Sequence, residues 1–121
     1  MSTLPFDEFP QLHQERFFQI QSDLGDEFPR FLTLFAEHSQ SLLATIDEGL
    51  ASNDMKQVKA SLHSFKGMSG SMGANRLYHL CKQAETLAGM DELITLQQLI
   101  SQMQTELPKL EQAIKQALQT E

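Results

Sequence analysis

Residues 54–85 read DMKQVKASLHSFKGMSGSMGANRLYHLCKQAE, and this stretch decides how the rest of the chain is read. Between its bracketing acids, Asp54 and Glu85, lie five basic side chains (Lys56, Lys59, Lys66, Arg76, Lys82) and no acidic one, in a chain of net charge −7. Asp54, with Gln57 three residues on, has the form of an N-cap followed by a Gln at N3, a relative of the capping box. The helix it opens is expected to run to about Met72, where Gly73 is placed to supply a left-handed C-terminal residue. On a helical wheel Val58, Leu62, Phe65, Ser69 and Met72 fall on one side and form the core stripe. Lys56, Lys59, His63, Lys66, Gly67 and Gly70 fall on the other, so His63 is expected to face solvent.

A glycine inside a helix costs about 1 kcal/mol against alanine, so two on one exposed face call for a reason. Missing side chains beside His63 bare the imidazole and let a second macromolecule approach the helix backbone. A flat, small-residue surface with one protruding nucleophile suits docking, not a pocket. A helix–helix contact is the other reason for such glycines, and the apolar stripe on the opposite side argues against it. The lysines can offset the charge of a phosphoryl group on the imidazole and attract an acidic partner.

Working outward, the remaining chain reads as amphipathic helices joined by short breaks. Residues 1–9 show no clear period and read as a partly ordered N-terminal arm; residues 10–121 read as one domain. A short first helix is expected from Pro10 to about Asp23, with Leu12, Phe17, Ile20 and Leu24 on its apolar side and Pro10 in its first turn. Gly25 breaks it, Asp26 can cap the second helix, and Pro29 is tolerated in the opening turn. There Phe28, Phe31, Leu32, Phe35, Ser39, Leu42, Leu43, Ile46 and Leu50 recur at three and four, giving one stripe that Ser52-Asn53 ends. A fourth helix carries Leu77, Leu80, Cys81, Ala84, Leu87 and Ala88 on its buried side and stops at Gly89. Asp91 can cap a fifth, with Leu93, Leu96, Ile100, Met103, Leu107, Leu110, Ile114 and Leu118 in line and an expected kink at Pro108. Short connections make neighbours antiparallel, so the fold class is all-α: an up-and-down antiparallel four-helix bundle with a short extra N-terminal helix.

At 121 residues and 40% hydrophobic content the chain can build one core. No basic N-terminal segment leads into an apolar run and no apolar run approaches the length of a membrane span, so no membrane partner is expected. The lone Cys81 rules out an internal disulfide framework and fits a reducing, cytoplasmic setting. The acidic balance argues against nucleic-acid binding, which leaves a basic footprint. No G-x-x-x-x-G-K-[ST] loop is present, so self-phosphorylation from ATP is not expected. His13, His38 and His79 lack metal-site spacing and read as surface residues; Cys81 reads as a small buried hydrophobe.

The run His63-Ser-Phe-Lys66-Gly67-Met-Ser69-Gly-Ser-Met-Gly73-Ala74, continued by Leu77, Leu80-Cys81 and Glu85, resembles the H-x-x-K-G-x-S-x-x-x-G-A signature of histidine-containing phosphotransfer (HPt) domains. The resemblance is sharp over about residues 54–88; elsewhere it is a matching order of helices. It implies a bundle with an exposed phosphorylatable histidine and phosphoryl relay between aspartates of receiver domains, those of response regulators and of a hybrid sensor kinase. Carried over, the phosphorylated residue falls on His63 (at Nε2), the charge-stabilising lysine on Lys66, the small docking residue on Gly67 and the helix-breaking glycine on Gly73. Glu85 aligns with the position that, in some relatives, orients the imidazole. Lys56, Lys59 and Gly70 join the docking face, and Ser69 is assigned to packing. The resemblance further implies that the chain needs no cofactor of its own, Mg²⁺ and the acidic cluster belonging to the partner receiver; a monomer is expected. The rival from another class is a helical adaptor that binds receivers without taking phosphate. Such an adaptor has no need of the histidine.

Overall fold

The backbone order follows the apolar periods. The computed structural model describes residues 5–119, and in it the chain forms α1 (Gln14–Leu24), α2 (Phe28–Ala51), α3 (Met55–Met72), α4 (Asn75–Leu87) and α5 (Leu93–Gln119). No strand occurs among the described residues. Helix α3 packs against α2 and α4, and α4 against α5, so the four long helices form the expected antiparallel bundle. Phe35, Leu43 and Ile46 of α2, Val58, Leu62, Phe65 and Met72 of α3, Leu77, Leu80 and Ala84 of α4, and Leu96, Leu99, Met103 and Leu110 of α5 fill its centre. Each such large side chain contributes about 1.5–3 kcal/mol on leaving water. Leu93, placed in the fifth stripe by its period, is instead exposed with Ile94 at the bundle end, where α5 has only begun. The helix carries on through Pro108. Between α2 and α5 lies a cavity of about 530 Å³, lined in part by Leu32, Phe35, Leu107, Leu110 and Ile114.

The caps explain where α3 sits. Asp54 Oδ1 accepts the Gln57 backbone N–H at 3.1 Å, as expected of an N-cap. The reciprocal half of a capping box is absent, because the Asp54 N–H is already donated to Gly49 O at 2.7 Å. The Gln57 amide is thereby free to cross to α2 and donate to Thr45 O at 2.9 Å. At the other end Gly73 has φ 87°, and the Ala74 N–H is donated to Ser69 O at 2.9 Å, closing α3 in a left-handed cap. A Cβ on Gly73 would also lie 3.0 Å from His13 O. The left-handed conformation costs a non-glycine residue about 1–3 kcal/mol. Gly73→Ala is therefore expected to lower the urea midpoint by that order of stability at unchanged slope, and an unchanged midpoint would contradict this account of the turn.

The same turn corrects the first helix. Pro10 does not open it; α1 begins at Gln14, after a stretch whose backbone groups are committed elsewhere. The Asn75 N–H is donated to Gln11 O at 3.1 Å, and the His13 N–H to Gly73 O at 2.7 Å, stitching residues 11–13 to the α3–α4 connection. His13 then caps α1 through Nδ1, which accepts the Arg16 N–H at 3.1 Å. Phe17, fully buried, packs edge-on against Phe28 at 5.3 Å. Asp26 does not cap α2 either: Gly25–Glu27 forms a 3-10 turn that runs straight into the helix, with no side-chain cap at Glu27 and Pro29 in the opening turn. Of the N-terminal arm, residues 1–4 lie outside the described residues. The rest is docked: Pro5–Glu8 forms a 3-10 turn, Phe6 is buried, and Phe9 stacks on His79 at 3.8 Å between ring centres.

Candidate phosphoryl-acceptor site

His63 stands mid-way along α3 with its side chain 69% exposed, while Val58, Leu62 and Phe65 hold the opposite side of the helix in the core. Its Nδ1 lies 2.9 Å from Glu85 Oε2 on α4. The other oxygen of that carboxylate, Oε1, accepts from Lys66 Nζ at 2.7 Å. Glu85 thus bridges the imidazole and the ammonium group, and the helix register that joins α3 to α4 brings the three residues into one cluster. Hydrogen bonding from Lys66, and secondarily from His63, holds the Glu85 carboxyl below the usual carboxylate range against an opposing effect of partial burial. The Glu85 hydrogen bond in turn raises Lys66 above the usual lysine value.

These directions fix the pH window of the cluster. Glu85's contribution is present above the ordinary carboxylate value and lost as pH falls through its lowered one. Lys66's is present below the ordinary lysine value and lost as pH rises through its raised one. The bridge is accordingly intact across the neutral range, and screening by water keeps its weight in folding small. An ionised carboxylate only accepts hydrogen bonds. Nδ1 therefore carries the proton, and the lone pair of the neutral ring sits on Nε2, the nitrogen turned away from Glu85.

The other histidines are arranged differently. His13 Nδ1 accepts a backbone N–H, which puts the proton of its neutral ring on Nε2. His79 is half-buried against Phe9, and burial, with Lys82 nearby, pushes its pKa down. His38 is exposed on α2.

The two glycines of the exposed face part company. A Cβ on Gly67 would meet nothing within 4 Å, and the residue is exposed, so packing gives no reason for its small size. A Cβ on Gly70 would lie 3.1 Å from Tyr78 Cδ1. Gly70 is half-buried beneath that ring, and a close approach of α3 to α4 accounts for it, correcting its place on the docking face. Ser69 is fully buried, in keeping with packing.

The basic island also divides. Lys56, Lys59 and Lys82 are exposed. Arg76 is turned inward: its Nε donates to Phe9 O at 2.9 Å, and Nη1 lies 3.7 Å from Oε1 of Glu106, a buried carboxylate. Burial raises the Glu106 pKa and Arg76 opposes that shift. The sequence carried one sign of this pair, since Glu106 falls three residues after Met103 and four before Leu110, inside a buried stripe. Cys81 is buried, and burial drives its thiol pKa far up, so it is a packing residue. Among the described residues, no helix is long and apolar enough to cross a membrane.

A family model described as the Hpt domain matches residues 30–119. The chain is similar over 93% of its length to 97% of histidine-containing phosphotransfer protein B from Pseudomonas aeruginosa, at 32% identity and a TM-score of 0.83. A histidine-containing phosphotransfer protein from Medicago truncatula, MtHPt2, aligns at 26% identity and a TM-score of 0.78, covering 95% of this chain and 81% of that one. A rice protein described as a putative histidine-containing phosphotransfer protein shares the fold, with a TM-score of 0.76 at 22% identity over 87% of this chain and 79% of its own. None of the curated protein sequences compared with the chain matches it. With an exposed histidine on the third helix and the bundle that presents it, this chain belongs to the Hpt domain family, whose members serve as histidine phosphotransfer intermediates in phosphorelays.

Proposed function

We propose that the chain accepts a phosphoryl group on His63 Nε2 from the aspartyl phosphate of one receiver domain and hands it to the aspartate of another. The observation that carries this reading is the hydrogen bond between Nδ1 and Glu85, which turns the lone pair of a solvent-facing imidazole outward. The Nε2 lone pair attacks phosphorus as the bond to the aspartate oxygen breaks, and the departing pair returns to that carboxylate. Lys66, one turn along α3, steadies the phosphoryl oxygens. Most catalysis of phosphoryl transfer is positioning plus charge stabilisation, which suits an imidazole that faces solvent. Mg²⁺ belongs to the receiver. Gly67 leaves room for that partner, and Lys56, Lys59 and Lys82 supply a positive field complementary to its acidic pocket, which speeds encounter in a salt-sensitive way. The setting is cytoplasmic, with the chain a monomer and its donor a hybrid kinase's receiver.

The test is to mix the protein with a phosphorylated receiver, then with a second, unphosphorylated one. Acid-labile, alkali-stable label is expected on this chain, and its decay should match the appearance of label on the second receiver. Tight binding to receivers with no label taken up would sink the relay and support the adaptor.

A further inference from the structure

The four long helices stand in a ring, and one of its seams is open. Helix α3 packs against α2 and α4, and α4 against α5, but α2 and α5 scarcely approach each other. Their seam holds the cavity of about 530 Å³, across the bundle from the α3–α4 seam where His63 meets Glu85. We propose that this seam is a binding site for a neutral, mainly apolar molecule bearing one hydroxyl group, of the phenol or aliphatic-alcohol class. The proposal does not depend on the relay or on His63.

Size and lining set the class first. Small-molecule sites are clefts of about 300–1,000 Å³, mostly apolar with a few placed polar atoms, and the space between bundle helices is a usual place for them. Phe35 and Leu110, both buried, and Leu32, Leu107, Ile114 and Leu118, all half-buried, give this cavity its apolar walls. Water held against such walls finds few partners, and its release favours an apolar occupant.

The polar atoms narrow it. Ser39 is fully buried and lines the cavity, and its hydroxyl proton is already donated to Phe35 O at 2.7 Å, so only its lone pairs remain. Pro108 has no N–H to give the Gln104 carbonyl one turn before it, and both residues line the cavity. Ser39 Oγ and Gln104 O are thus acceptors, and the occupant must bring the donor. Glu111 and Lys115, the two charged residues of the lining, stand exposed one turn apart on α5 and cancel. An ionic head group would therefore give up hydration for no net field. A helix laid in the seam, from a partner or a second copy, has its backbone N–H groups bonded internally and answers these acceptors poorly.

Para-butylphenol, butylbenzene and para-butylbenzoate share a body and differ in the head group. Titrated into the full chain and followed by calorimetry and NMR, the phenol is expected to bind best. It should shift the methyl signals of Leu32, Leu107 and Ile114 and leave the His63 ring signals in place. Its margin over butylbenzene should be roughly twofold to twelvefold in affinity, the worth of one hydrogen bond. Pro108→Ala returns an N–H to the Gln104 carbonyl, and Ser39→Ala removes the other acceptor; each should shrink that margin and leave butylbenzene binding little changed. Ala36→Met fills the cavity from an exposed position on α2, so phenol binding should vanish while circular dichroism and the urea midpoint are kept. A phenol no better than butylbenzene, or a margin that survives both Pro108→Ala and Ser39→Ala, would overturn the hydrogen-bond argument. Tighter binding of the benzoate would overturn the choice of a neutral ligand. Absence of saturable binding by all three, or binding untouched by Ala36→Met, would remove the site. A dimer in sedimentation that Ala36→Met dissociates would make the seam an interface between copies instead.

Discussion

Incubated with a phosphorylated receiver, the His63→Gln protein is expected to carry no label, while the wild-type chain carries acid-labile, alkali-stable label. The fold should be unaffected, because the side chain replaced is mostly in water and the helix is held from the other side by Val58, Leu62 and Phe65. Glutamine is also a good helix former. What it lacks is a nucleophilic nitrogen, since the amide lone pair is delocalised into the carbonyl. The bridge loses one arm, but Glu85 keeps its contact with Lys66. Circular dichroism and urea unfolding should therefore overlay on the wild type even as transfer vanishes. The other histidines make the experiment discriminating. His13 and His38 are exposed too and His79 is half-buried, so label that persisted in the variant would locate the acceptor at another residue and refute the assignment. The expectation that neither substitutes rests on chemistry: His13 binds a backbone N–H through the nitrogen that His63 uses to face a carboxylate, and His38 lies outside the Glu85–Lys66 cluster.

The contrast between what was readable in the residues and what was not follows the reach of the forces involved. Asp54 as a cap, the core stripe of α3, the left-handed stop at Gly73 and the exposure of His63 are all properties of one helix, set by neighbours within a turn or two. Each could be read from spacing alone. Glu85 could be aligned by resemblance, yet its contact with His63 depends on how far α3 is slid along α4, which no single-helix period contains. Its second contact, with Lys66, was not anticipated and changes the electrostatics of the site. Two sequence-level readings failed for the same reason. Gly70 looked free on a wheel because the wheel does not include Tyr78 on the next helix. Arg76 counted toward a basic surface because no local spacing joins it to Glu106, thirty residues on; the place of Glu106 in a buried stripe marks that acid as inward-facing but does not name its partner. Pro10 and Asp26 show the complementary case: sound local start signals that lost to tertiary bonding and to a 3-10 turn.

Gly67→Gln is expected to separate folding from function. A Cβ at this position meets nothing within 4 Å, so the larger side chain enters open solvent and displaces no neighbour. Exchanging a mid-helix glycine for a good helix former then stabilises the protein, by about 0.5–1 kcal/mol, chiefly by narrowing the unfolded ensemble. Urea unfolding should report a midpoint shifted upward. Transfer should move the other way. Forcing an additional side chain into a matched surface costs about 1–3 kcal/mol, which at sub-saturating receiver corresponds to a loss of roughly fivefold to 150-fold in transfer rate. Saturating the reaction with receiver should recover part of that loss, because the defect lies in docking and the His63–Glu85–Lys66 cluster is untouched. Gly67→Ala should gain similar stability and lose less transfer, in proportion to its size. Undiminished transfer in the glutamine variant would mean that the receiver does not approach over this turn of α3, and the glycine would be left without a reason, since the bundle itself gives it none.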